Sequence, residues 1–276
     1  MPDLWRPTAL MAAVFALSAP AHAGGWTQET GDYYVKVWGR SLLGTGVFGP
    51  AIGETLQLED RYQDHQLQSY AEYGLTERLT WVGYAVPVGH ARYGDQGSTY
   101  VGPLATGVRV QLLRSDSVAL SAQSMLGGRV PFGEEALFEG QVDGQQLVVR
   151  PTLATGQAEA ELQLGIARPK GWMSFHAGAR GFTSKRYLPA LTGYAQFGWT
   201  PKEHLVFDLH FPLYRSFGEI EEVDVLGVTN TSYLGFGLSG SVWLSEHLAV
   251  TGSFEGAGLA VSNAGTPSLN LGIELR

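Results

Sequence analysis

The chain has 276 residues, a formal net charge of -8 at neutral pH, no cysteine, and charged side chains at only 16% of its positions. The negative balance provides no basic face for phosphates, so nucleic acid is not an expected partner, and the missing cysteines exclude disulfide and thiol chemistry. A water-soluble domain of this size carries about 25% charge; the deficit, together with 37 glycines, points to a surface that faces something other than water.

Residues 1–23 read as an export signal. Arg6 precedes an apolar run from Ala9 to Leu17, and Ala21-His22-Ala23 supplies a small-x-small cleavage site, so the mature chain is expected to begin at Gly24. The run is too short to span about 30 Å of hydrocarbon as an anchor. Asp3 and Arg6 cancel, so the mature chain keeps the full net charge.

Beyond the signal, one unit recurs about twelve times: roughly ten residues of apolar and polar alternation, ended in turn by a very short connection and a longer one. Strands are predicted over 31–43, 62–75, 78–90, 102–114, 117–129, 155–168, 171–182, 188–200, 204–215, 232–244, 247–261 and 267–276. The clearest runs from Leu205 to Leu213, where every odd position is apolar and the even ones include Asp208 and His210. A period of two excludes a helix there. The pattern predicts a transmembrane antiparallel up-and-down β-barrel, all-β, of about twelve strands over 24–276, in the outer membrane of a Gram-negative bacterium.

Five connections are tight and polar, at Thr76-Glu77-Arg78, Ser115-Asp116-Ser117, Pro169-Lys170-Gly171, Pro201-Lys202-Glu203 and Ser245-Glu246. The others, near 44–61, 91–101, 130–154, 183–187, 216–231 and 262–266, vary in length. This asymmetry predicts periplasmic turns, external loops and both termini on the periplasmic side. Acidic residues crowd two loops, with Glu134, Glu135, Glu139 and Asp143 in one and Gly218–Asp224 in the other. They are read as solvated loops, or as sites where ions bridge to lipopolysaccharide. Tyr73, Trp81, Trp172, Trp199 and Trp243 on the turn side, and Phe182, Tyr187 and Tyr214 on the loop side, are expected to form two interfacial girdles.

The same parity directs Lys36, Arg40, Glu72, Arg109, Glu159, Glu161, His176, Arg180, Tyr194, Asp208, His210 and Glu255 into the lumen as the candidate pore lining. Twelve strands leave a narrow interior. Such charges either line a polar solute pathway or cross-link it shut, and alternation alone does not decide. Asp208 and His210 share a face and invite a hydrolytic reading, but no serine context stands out beside them. The histidines show no metal-ligand spacing, and no cofactor or enzymatic activity is expected.

Gly25-Trp26-Thr27-Gln28 followed by Gly31, Tyr34 and Lys36, and then the stretch Tyr70-Ala71-Glu72-Tyr73-Gly74-Leu75-Thr76-Glu77-Arg78-Leu79-Thr80, resemble the opening and first periplasmic hairpin of a group of bacterial outer-membrane barrels. That group is described as transporters of the MetA pathway of phenol degradation. The resemblance covers roughly the first third of the chain. It implies a barrel, passage of small aromatic or hydrophobic compounds, and the partners of that class: outer-membrane lipid and lipopolysaccharide, periplasmic chaperones and the barrel-assembly machinery, and a small-molecule solute. The chain departs from outer-membrane barrels in ending Glu274-Leu275-Arg276 rather than in an aromatic residue. The reading is therefore a monomeric channel or transporter for small solutes. The alternatives are a structural or interaction barrel with a salt-bridged closed lumen and, with least support, an envelope-lipid hydrolase.

Overall fold

The computed structural model describes residues 24–49, 51–130, 138–142, 145–149, 155–185, 187–218, 231–261, 263–265 and 267–276. Residues 1–23, Glu134, Glu135, Asp143 and 219–224, to which the signal and most of the acidic loop positions belong, lie outside them. All regular structure among the described residues is strand.

Twelve antiparallel strands close into a barrel: β1 (Tyr33–Phe48), β2 (Thr55–Thr76), β3 (Leu79–Tyr93), β4 (Gln96–Arg114), β5 (Val118–Val130), β8 (Thr155–Arg168), β9 (Gly171–Phe182), β10 (Ala190–Lys202), β11 (Leu205–Ser216), β12 (Ser232–Trp243), β13 (Leu248–Val261) and β15 (Ser268–Leu275). A separate hairpin, β6 (Phe138–Val142) and β7 (Gln145–Val149), occupies the long connection and approaches β2, and β14 (Asn263–Ala264) is a short bridge to the end of β1. Each barrel strand pairs with its neighbour in the sequence, and β1 closes the ring on β15 from Val35 opposite Leu275 to Leu42 opposite Ser268. No barrel strand is left as an open edge, which is what a bilayer demands of backbone that has no water to bond to.

The outer wall is apolar because alternation places it so. Phe207, Leu209, Phe211 and Leu213 on β11, Leu234, Phe236 and Leu238 on β12, and Leu269, Leu271 and Ile273 on β15 are all exposed. In water this continuous surface would be an aggregation site; against lipid it is the solvated face. Tyr33, Tyr73, Trp81 and Trp199 stand outward near the turn end, as an interfacial girdle requires. Trp172, Trp243, Tyr187 and Tyr214 do not join a girdle. They are buried, and Trp172 shares the parity of inward Ser174 and His176, so position along the strand misled where parity decides.

The first four strands are longer than predicted, and the connections expected at 44–61 and 91–101 are largely strand. At 22 residues, β2 far exceeds the roughly 9–11 that cross a bilayer. Its outward residues are Leu67, Ala71, Tyr73 and Leu75 in the lower half, but Gln57, Glu59, Arg61 and His65 in the upper half. The inward residues change in the opposite sense. Leu56, Leu58 and Tyr62 join Leu42, Val47, Val86, Ala91, Tyr93 and Tyr100 in a buried apolar cluster. The upper parts of β1–β4 thus form a collar, wet outside and dry inside, turned by Gly94-Asp95 between β3 and β4. Dense charge made this stretch read as loop, whereas it is strand with its two faces exchanged.

If the belt is the lipid face, Leu271→Arg should destabilise the bilayer-inserted barrel by about 2–4 kcal/mol, the cost of a guanidinium near the midplane. Gln57→Arg on the collar should leave stability within about 0.5 kcal/mol. Urea titration of the barrel in liposomes distinguishes the two.

Candidate functional site

All twelve residues assigned to the lumen from parity stand on the inner side of the wall, where they meet across strands. Lys36 pairs with Glu274 at 3.2 Å, Arg40 lies 3.9 Å from Asp64, Arg109 bridges to Glu72 at 2.9 Å, and Arg180 pairs with Glu159 at 2.7 Å. Glu72 on β2 and Arg109 on β4 are separated by β3, so they touch only because both point inward.

The remaining carboxylates have imidazoles for ion-pair partners. His176 Nδ1 lies 3.8 Å from Glu161, and His210 sits between Asp208, 2.9 Å from Nδ1, and Glu255, 3.6 Å from Nε2. Ser239 also donates a hydrogen bond to Asp208. Tyr194 stands between the two imidazoles, with ring centroids 5.4 Å from His176 and 5.7 Å from His210. The result is a three-ring ladder across β9, β10 and β11, flanked by three carboxylates.

Neither histidine is placed for hydrolysis. Both ring nitrogens of His210 face carboxylates, so neither is left to activate a hydroxyl. A serine pair that sequence reasoning missed does exist, with Ser174 Oγ 2.8 Å from His176 Nε2. Ser174, however, has no exposed surface, and Gly24 lies directly against both groups. A nucleophile needs access to its substrate, and this one has none.

The segment before β1, to which the alternation assigns no place, folds back into the turn end of the lumen over Gly24–Glu29. The amide of Thr27 donates to Gln111 Oε1 at 2.9 Å, and Gln111 Nε2 donates to the Gly25 carbonyl at 2.7 Å. Arg109 Nη1 donates to the Trp26 carbonyl at 3.1 Å. The amide of Gln28 donates to Thr80 Oγ1 at 2.8 Å, while its side chain donates to Glu72 at 2.6 Å. Tyr70 completes this network by donating to Glu72 and accepting from Arg109.

Two glycines make room for the segment. A side chain at Gly165 on β8 would collide with the Trp26 ring and the Gly24 carbonyl, and one at Gly74 on β2 would collide with the Glu29 carbonyl. Gly25 itself has φ of 102°, a left-handed conformation that favours glycine. The sequence held a trace of this arrangement: Gly25-Trp26-Thr27-Gln28 stands out as a motif that belongs to no strand. Nothing in the periodicity, though, said where it would lodge.

Solvent reaches the lumenal charges unevenly, and Asp64 and Glu274 stay at 2% and 5% beside their more exposed partners Arg40 and Lys36. Toward the turn end, against the loop-ward side of the segment, Arg109 and Glu72 keep only 6% and 9% side-chain exposure. Farther up, the Lys36, Arg40, Arg180 and Glu255 side chains keep 27%, 30%, 31% and 43%. Two shallow recesses, of about 390 and 520 Å³, open where small outward residues such as Ala122, Ser124 and Ala160, or Ser69, Ala71 and Gly83, thin the wall.

A closed antiparallel barrel, apolar outside and charged within, is a membrane-spanning β-barrel of the outer-membrane type. Comparison with solved structures agrees. An outer-membrane channel from Pseudomonas putida F1 superposes with a TM-score of 0.65 at 12% identity, covering 94% of this chain and 99% of that one. The translocator domain of the autotransporter NalP from Neisseria meningitidis gives 0.50 at 13%, covering 97% and 93%. At such identities the likeness is one of fold. No family model matches the chain, and no curated protein matches it.

Removing one partner of the dry ion pair should be costly. Arg109→Ala, which strands the Glu72 carboxylate, is expected to lower stability by about 3–5 kcal/mol, whereas Arg109→Leu combined with Glu72→Leu should recover most of the loss. Urea midpoints of the three proteins in liposomes test the pair.

Proposed function

We propose that the protein is an outer-membrane channel for small solutes, with the twelve lumenal residues as its lining and no enzymatic role. The observation that supports this reading is the solvent access retained by charges inside the wall. An interior cross-linked shut would bury its ion pairs, yet Lys36, Arg40, Arg180 and Glu255 remain a quarter to two-fifths exposed. Water reaching those groups leaves room for a hydrated path. The first of the two barrels compared above is itself an outer-membrane channel by description, which fits.

The lining also bears on selectivity. Four carboxylates, Glu274, Asp64, Glu72 and Glu159, pair with permanent cations, while Glu161, Asp208 and Glu255 face imidazoles. The β8–β13 side is therefore the more negative one, and a preference for cationic or neutral solutes follows. The His176, Tyr194 and His210 rings offer flat surfaces on which an aromatic solute can stack, in keeping with the small aromatic compounds that the sequence resemblance implies. Export by residues 1–23, periplasmic turns and termini, assembly with periplasmic chaperones and the barrel-assembly machinery, contact with lipopolysaccharide, and a monomeric state belong to the same proposal.

Purified protein in planar bilayers should conduct ions with a preference for cations, and Glu161→Gln with Glu255→Gln should shift the reversal potential toward anions. A barrel that passes neither ions nor solutes in bilayers and liposomes would remove the reading.

A further inference from the structure

The Gly24–Glu29 segment folds into the turn end of the lumen, bonded to Gln111 and Thr80 nearest the turns, with the dry Arg109–Glu72 pair immediately loop-ward of it, so it occupies the turn-end mouth. Three properties distinguish it from ordinary core. Besides the Trp26 ring on Gly165, its contacts with the wall are polar, namely hydrogen bonds to Gln111, Arg109, Thr80, Glu72 and Glu77 and a 3.5 Å ion pair from Glu29 to Arg114, which water can replace when it leaves. Strand-like backbone pairing begins only beyond it, where Gly31 and Asp32 bond Gly74 at 2.8 and 2.9 Å, so its departure breaks no barrel pairing. Gly31, with φ of 89° and open space around it, is a ready hinge. Cleavage after Ala23, proposed above, leaves the segment a single tether.

We propose that Gly24–Glu29 is a gate at the turn end of the lumen, shut when Trp26 is seated on Gly165 and opened by swinging about Gly31. The proposal rests on the channel reading and adds to it the place and means of closure. Gly165 and Gly74 keep the seat clear, and Arg109, Gln111 and Thr80 latch the backbone. Trp26 is the stopper, held against a wall that has no side chain at the point of contact.

Because the chain contains no cysteine, a thiol pair can be introduced without background. Gln28→Cys with Thr80→Cys puts thiols on two residues already in contact, the Gln28 backbone amide lying 2.8 Å from Thr80 Oγ1. In planar bilayers the reduced protein should show openings, and oxidation should silence them by at least tenfold. Gly165→Leu, which fills the seat, and deletion of residues 24–29 should each raise the open fraction several-fold. A second measurement does not depend on conductance: a maleimide should label Thr27→Cys slowly in the otherwise native chain, where Thr27 is buried, and at least tenfold faster with Gly165→Leu. Heat-modifiable migration on gels identifies any variant that has not folded, and the remaining variants then decide. Equal conductance in the cross-linked and reduced forms overturns the gate while leaving the channel standing, as does rapid labelling of Thr27→Cys in the otherwise native chain. Silence in every form, the deletion included, overturns both.

Discussion

Everything in this structure depends on one constraint: in hydrocarbon, a backbone amide or carbonyl must find its partner within the protein. Closure of β1 on β15 meets that demand around the whole ring. Once the ring is closed, side chains have only two destinations, and strict alternation turns into a division between lipid and lumen. The apolar belt, the inward charges and the cross-strand ion pairs all follow from it. So does the inner seat for the N-terminal segment, since a closed wall has an inside that chain from outside the strands can enter.

How legible this was in the sequence varies along the chain. From β5 onward the strands emerged almost as written, because lipid outside and polar groups inside are what period two with a fixed sign encodes. Asp208 and His210 could be paired from spacing alone, since residues two apart share a face. Their third partner, Glu255, lies two strands away, and its approach to His210 depends on the stagger between strands, which no single strand records. The Arg109–Glu72 pair lay beyond reach for the same reason.

Where the solvent changes, the reading failed in a way that can be explained. Above His65 the outward face of β2 meets water, so apolar residues move inside and charges move out. The alternation persists with its sign reversed, and a reader who looks for apolar exteriors sees a loop. The buried tryptophans show a second failure. Trp172 and Trp243 sit at strand ends where a girdle is expected, yet both are inward, and Arg276 places its guanidinium 3.9 Å from the centre of the Trp243 ring. The Gly24–Glu29 segment shows a third: it has no periodicity to read, and although its motif stands out, where it lodges is recorded only by the bare inner faces of Gly165 and Gly74.

The exchange of faces along β2 has a consequence for how the barrel sits. A strand that is apolar outside along its whole length could slide up or down through the bilayer with little penalty. Here, sinking by two residues draws His65 into hydrocarbon, and rising by two lifts Leu67 into water. Both displacements are opposed, so the collar acts as a float that sets the depth of the molecule to within one pleat of a strand.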